Sequence, residues 1–323
     1  MDGFNLNLIS KYRSELMGGS TLSILICHAA GNDVLMPKWL MYVVAQAQLG
    51  VDIFLFLSGM GLNYSLSTHR GGEKSWYVRR YKRILIPYLV ITVPLGIINV
   101  IVYHENVWRV LSGISTLQYW ISHQAAWFIA LLLPLYGIAP LLFRWLKKVG
   151  GIKCIVVFIV CYAIALWPTS VSATSFFGNV QFAIIRVPVF VLGMYMGPHI
   201  LEGKLLGYKN ILLSLLLAWV MMGITRKPCP SYFFLVLPIL YALTILLKTT
   251  YSTEKYNKMF CFFGAISLES YMFNTCLPKY MHSIMTIFHI PDYGNYLFYF
   301  LVLIIGFTLS VAVNRMTRGF VGR

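Results

Sequence analysis

The chain has 323 residues, 59% of them hydrophobic and only 11% charged, against roughly 25% charged in soluble domains. With a mean hydropathy of +0.73, it has too little polar surface to cover its apolar side chains in water, which excludes a soluble globule. The composition predicts an all-α polytopic membrane protein, a single membrane-embedded domain over 1–323, because helices of about 20 apolar residues satisfy their own backbone in lipid.

Ten membrane segments are predicted in chain order. They centre on 15–31, 48–66, 84–103, 125–143, 152–168, 180–197, 210–224, 231–247, 259–277 and 294–314. The first is short: Lys11 and Arg13 precede about a dozen apolar residues, and Ala29-Ala30-Gly31 follows. That layout also fits a cleavable signal peptide. Between the third and fourth segments, His104 to Gln124 is moderately apolar and carries Trp108, Tyr119 and Trp120. An interfacial helix with aromatic anchors is expected there.

The basic residues test this frame, because cytoplasmic loops are enriched in them. Twenty of the 26 lysines and arginines fall on one side, from Lys11 and Arg13 to Arg318 and Arg323. Lys38, Arg109, Arg226, Lys227 and Lys279 fall on the other, and Arg186 lies within a segment. The bias alternates through all ten segments, so both termini are expected in the cytoplasm and a multi-pass place in the plasma membrane follows. The net charge of +16 then encodes topology, and nucleic acid is not needed to explain it. The six cysteines show no CxxC pairing and no metal-type spacing, so neither a disulfide nor a metal site is expected.

Ionisable groups within lipid-spanning segments are costly, about 2.5–3.5 kcal/mol each on insertion scales, and so raise a functional question. Four stand out: His28, Asp52, Arg186 and Glu269. The structural explanation is that Asp52 or Glu269 neutralises Arg186. His28 differs, because it lies near the outer end of its segment, where a neutral imidazole exchanges protons with water. Its unperturbed pKa near 6.5 suits a general base.

A second feature is "WYVRRYKRILIPY", where Arg79, Arg80, Lys82 and Arg83 stand at the cytoplasmic start of a segment. Positive-inside sorting or anionic headgroups account for many such clusters. On a helix, however, Arg79 and Arg83, or Arg80 and Arg83, share a face and can grip a polyphosphate. Glycines in "SGMGLNYS" and "PVFVLGMYMG", with Pro134 and Pro140, suit close helix contacts and bends around a cavity.

Six stretches in order resemble the acyltransferase family 3 membrane proteins. These are "RSELMGGSTLSILICHAA", "LGVDIFLFLSGMGLNYSL", "YVRRYKRILIPYLV", "AAWFIALLLPLYGIAPLL", "IIRVPVFVLGMYMG" and "GAISLESYMFN". The resemblance implies transfer of an acyl group, usually acetyl, from cytoplasmic acyl-CoA to a hydroxyl of an extracytoplasmic carbohydrate or other envelope acceptor, with no metal. It implies His28 as the base, Arg80 and Arg83 on the CoA phosphates, and Arg13 as the basic partner preceding the histidine. Family members often place that arginine ten residues before the histidine, whereas fourteen residues intervene here. Where many end the ninth segment with a histidine after its tyrosine, this chain has Asn274.

On these grounds Arg13, Arg79, Arg80, Arg83 and Trp127 are expected at the donor, acetyl-CoA or another acyl-CoA. His28, Asp52, Arg186 and Asn274 are expected at the reaction centre, with Asp52 orienting the imidazole. Arg186, Asn274, Trp127 and Ser58 are candidate oxyanion donors. A transporter or flippase without chemistry, and an inactive relative serving as sensor or assembly partner, are the rival readings. The acceptor and the need for a separate extracytoplasmic partner are not encoded legibly, and a homo-oligomer is compatible with the sequence but not required by it.

Overall fold

The computed structural model describes residues 3–122, 126–147, 150–168, 175–249 and 254–321. A short β1 (Gly3–Asn5) pairs antiparallel with β2 (Leu205–Gly207) at the basic end of the molecule. Among the described residues, the other regular elements are helices. The first half of the chain forms α1 (Asn7–Lys11), α2 (Arg13–Gly31), α3 (Lys38–Gln46), α4 (Leu49–Thr68), α5 (Gly72–Ile101), α6 (Val107–Ile114), α7 (Leu117–Ser122) and α8 (Trp127–Leu146). The second half forms α9 (Gly150–Ala165), α10 (Phe176–Ile184), α11 (Val187–Leu201), α12 (Tyr208–Thr225), α13 (Tyr232–Thr249), α14 (Glu254–Ala265), α15 (Ser267–Ile287) and α16 (Tyr296–Val321). The protein is an all-α polytopic membrane protein.

Each of the ten predicted segments lies mostly on helix among the described residues. Among the described residues, seven helical stretches are long and apolar enough to cross a membrane. The fifth segment, Gly150–Ala165, is apolar but shorter. The first and ninth fall outside that group because α2 and the α14–α15 pair carry polar residues that face inward. Ser20 and Thr21 on α2, and Glu269, Ser270 and Asn274 on α15, are all buried. These two elements border the cavities described below, which is why their composition is the least lipid-like.

The structure corrects three boundaries. The third segment starts twelve residues earlier than predicted, so the basic cluster is part of α5 and does not precede it. The sixth segment breaks at Arg186, the N-cap of α11, and the ninth breaks at Ile266, the N-cap of α15. Glu269, expected in mid-segment, therefore stands in the first turn of α15, and Asp52 stands in the first turn of α4. A carboxylate there faces unpaired backbone N–H groups. The loop from His104 also differs from one anchored interfacial helix. It folds as α6 and α7; Trp108 is exposed, but Tyr119 is buried and donates to the Asn179 carbonyl at 2.8 Å.

The core is set by a close crossing of α4 and α11. A Cβ on Gly59 would overlap the Phe190 carbonyl, and one on Gly193 would overlap the Phe56 carbonyl. The two glycines thus admit each other's helix backbone, as small residues do in membrane bundles. We expect Gly59→Ala to lower the unfolding midpoint in detergent, in line with about 1–3 kcal/mol for overpacking. An unchanged midpoint would show that the crossing can relax.

Candidate active site

A polar concavity of about 540 Å³ opens at the basic end between α2, α4, α5, α8, α14, α15 and α16. Arg13, Arg80, Arg83 and Arg318 line it, and none of its lining residues is acidic. Arg83 and Arg318 are exposed at the mouth, whereas Arg13 and Arg80 are half-buried deeper in.

Each arginine is held by local chemistry. Ser65 Oγ accepts from Trp76 Nε1 at 2.9 Å and from Arg80 Nε at 3.1 Å, which fixes Arg80 against α4. Arg13 reaches the Leu57 carbonyl at 3.4 Å, and its buried Nε has no partner. Gly61 leaves room for that guanidinium, since a Cβ there would stand 2.9 Å from an Arg13 terminal nitrogen. Arg318 Nε donates to Asn314 Oδ1 at 3.1 Å. Asn314 Nδ2 in turn donates to Glu269 Oε1 at 2.9 Å and to the Ala265 carbonyl at 3.0 Å. Glu269 thus acts on the cavity through an amide and does not neutralise Arg186. Ser58 and Tyr136 lie on the same cavity wall.

Arg79 lies outside this cavity, contrary to the expected pairing with Arg83. Its guanidinium turns outward to His69 Nδ1 at 2.6 Å. A helical step of about 100° per residue separates it from Arg80, so the two cannot face the same side.

His28 sits in the last turn of α2, fifteen residues beyond Arg13. At 1.5 Å and about 100° per residue, that spacing places them roughly 22 Å apart along the axis and within about 60° of one face. One helix therefore runs from the arginines to the histidine. His28 Nδ1 bonds Asn274 Oδ1. Asn274 Nδ2 donates to the Tyr299 hydroxyl at 3.2 Å, and Tyr299 donates to the Leu25 carbonyl.

This chain of bonds fixes the proton on the ring. A carbonyl can only accept, so the Tyr299 proton points to Leu25. The Tyr299 oxygen then accepts from the amide nitrogen, which turns Asn274 Oδ1 toward His28. Oδ1 also only accepts, so Nδ1 carries the ring proton and Nε2 keeps its lone pair. Among the described residues, Nε2 makes no hydrogen bond.

Asp52 does not orient this imidazole. It is 2% exposed and bonds Arg186, itself 1% exposed. Arg186 also donates to Gln48 Oε1 at 3.1 Å. Trp127 is likewise away from the arginine cavity; its ring and that of Phe182 stand 5.2 and 5.5 Å from the Arg186 guanidinium carbon. The pair ties the break between α10 and α11 to the start of α4, a structural setting. Asp52→Leu leaves a buried unpaired guanidinium, so we expect a loss of about 3–5 kcal/mol. Asp52→Leu combined with Arg186→Met should recover most of the thermal midpoint, and a double variant as unstable as the single one would contradict this.

Between the arginines and His28 the passage narrows. The cavity shares Phe54 and Ser267 with an apolar pocket of about 20 Å³ that also touches Leu25, Phe128 and Tyr271. Phe54 meets Phe128 edge-on at 6.0 Å, Phe128 meets Tyr271 at 5.5 Å, and Tyr271 lies 6.2 Å from the His28 ring. Sequence reasoning missed Arg318, Asn314, Tyr136, Tyr271 and Tyr299. Only the Asn314–Arg318 spacing of four, which places both on one helix face, offered a signal.

An arginine cavity joined by one helix to a histidine with a defined free nitrogen is suited to acyl transfer, and the family comparison decides the matter. The acyltransferase domain model of family 3 matches residues 18–315, nearly the whole chain. The chain belongs to the acyltransferase 3 family. Comparison with curated proteins and with solved structures returned no match. This family member is thus a membrane acyltransferase, and its matched region contains His28, Asn274 and every cavity arginine except Arg13 and Arg318.

Proposed function

We propose that this acyltransferase takes an acyl group, most simply acetyl, from a CoA thioester on the cytoplasmic side and transfers it to a hydroxyl of an extracytoplasmic carbohydrate or related envelope acceptor. The observation that carries the reading is the cavity at the basic end, lined by four arginines and no acidic group. CoA presents a diphosphate and a ribose 3′-phosphate, and guanidinium groups bind such oxygens through paired, charge-assisted hydrogen bonds. The positive-inside rule puts this end in the cytoplasm, where acyl-CoA is made.

The pantetheine arm then runs along α2 toward His28. Phe54 and Phe128 fill the passage, so delivery of the thioester requires them to move aside. His28 Nε2 takes the proton of the acceptor hydroxyl, and the oxygen attacks the thioester carbonyl. The C–S bond breaks as the C–O ester bond forms, and the CoA thiolate leaves with the proton from the imidazolium. Asn274 holds the ring in the tautomer this requires, the role a carboxylate often plays. An amide keeps the site neutral where a carboxylate would bring a charge.

Isothermal titration of the purified protein in detergent with acetyl-CoA tests the donor. Saturable binding, displaced by free CoA, is the expected result. Folded protein that binds neither acetyl-CoA nor longer acyl-CoAs would favour a transporter instead.

A further inference from the structure

One cavity arginine, Arg318, is tied through an amide to a buried carboxylate on another helix. We propose that Arg318 reads the ribose 3′-phosphate of the donor, and that Glu269 and Asn314 are the positioning residues that aim it. This rests on the acyl-CoA reading above and divides the donor's phosphates among the arginines of that cavity.

The connection has one possible orientation. Asn314 Nδ2 carries two protons. One goes to Glu269 Oε1 at 2.9 Å and the other to the Ala265 carbonyl at 3.0 Å. A carboxylate and a carbonyl only accept, so the amide nitrogen must face both of them. Asn314 Oδ1 therefore turns the other way and accepts from Arg318 Nε at 3.1 Å. With Nε engaged, the two terminal nitrogens of the guanidinium keep four protons to offer a ligand. Both supports are rigid: Glu269 is 0% and Asn314 2% exposed. Ala265 ends α14 and Glu269 lies in the first turn of α15, so the break at Ile266 supplies both acceptors. A buried helix break thus holds a side chain that is itself exposed at the cavity mouth. Such preorganisation lowers the ordering cost of binding.

The length of the donor assigns the phosphate. A pantetheine arm of about 13 bonds spans about 16 Å from sulfur to diphosphate, at the rise per bond of an extended peptide. His28 and Arg13 lie roughly 22 Å apart along α2. The arm has no slack, so a thioester at His28 draws the diphosphate in to the half-buried Arg13 and Arg80. The ribose 3′-phosphate trails behind it at the mouth, where Arg83 and Arg318 are exposed. No acidic residue lines the cavity there to oppose it. Glu269 stands behind Asn314 and is not part of the lining.

The test is titration calorimetry on the full chain in detergent with acetyl-CoA and with acetyl-dephospho-CoA, which lacks only the 3′-phosphate. Wild type should bind acetyl-CoA about tenfold more tightly or better, as expected for charged hydrogen bonds. Arg318→Met should weaken acetyl-CoA about tenfold and leave acetyl-dephospho-CoA at its wild-type affinity. Asn314→Leu and Glu269→Leu keep the guanidinium but remove what aims it, so each should narrow the preference. Glu269→Gln keeps an acceptor for Asn314 and should retain it. Arg315→Met removes a cation of the same helix outside the cavity lining and should change neither affinity. General damage to the fold weakens both ligands alike, so the ratio separates aiming from packing. Equal binding of the two ligands by wild type, or an undiminished preference in Arg318→Met, would overturn the assignment. An undiminished preference in both leucine variants would overturn the positioning role. Failure of wild type to bind either ligand would instead overturn the acyl-CoA reading on which the assignment rests.

Discussion

His28→Ala should lose acyl transfer while still binding acetyl-CoA with wild-type affinity. The imidazole lies a helix length from the arginines, so its removal leaves the arginine cavity intact. Positioned general bases contribute about 10²–10⁴-fold. The measurement is CoA release or labelled acetyl incorporation, paired with titration calorimetry on the same preparation. Transfer near the wild-type rate in the folded variant would remove His28 from the mechanism. Asn274→Leu provides a graded companion: the ring remains but loses the acceptor that sets its tautomer. Its rate should fall between wild type and His28→Ala.

The second large effect is expected at the opposite end. Arg80→Ala combined with Arg83→Ala removes two of the four guanidinium groups lining the arginine cavity. Hydrogen bonds to charged groups contribute about 1.5–3 kcal/mol each, so acetyl-CoA affinity should fall roughly 100-fold or more. Dephospho-CoA, which lacks the 3′-phosphate, should lose less on this substitution than CoA does. Arg79→Ala makes a sharp control, because that guanidinium turns outward to His69. Its affinity should match wild type, although the sequence cluster alone makes Arg79 and Arg80 look equivalent. Equal losses in all three substitutions would mean that the cluster acts as a diffuse field and not as a built site.

The fold was legible wherever a segment faces lipid, because hydropathy and the lysine–arginine bias both report that face. Legibility failed at the interior. The breaks at Arg186 and Ile266 fall within runs whose composition is continuous, and only three-dimensional pairing shows why a helix stops there. For the site, residue type and order singled out His28, Arg80 and Arg83, and the resemblance added Arg13; the structure sets the three arginines on one cavity and His28 in the last turn of α2. Asp52 could not be assigned correctly, because a carboxylate near a histidine and one near an arginine look alike in sequence. The geometry gives Asp52 to Arg186 and Asn274 to His28. Arg318 and Asn314 were hidden because the last helix ends in basic residues that topology already explains. Tyr271 and Tyr299 were two among 21 tyrosines, distinguished only by what they touch.

On the proposed function, one bundle carries an acyl group from CoA at its basic end to an acceptor at the other. The most direct measurement uses sealed inside-out membrane vesicles from cells expressing the protein, with their envelope glycans enclosed. Acetyl-CoA labelled with carbon-14 on the acetyl group and tritium on CoA is added outside. Carbon-14 should appear in enclosed glycans while tritium stays outside, and sealed right-side-out vesicles should incorporate neither label. Incorporation only when acetyl-CoA and acceptor share a side would contradict it.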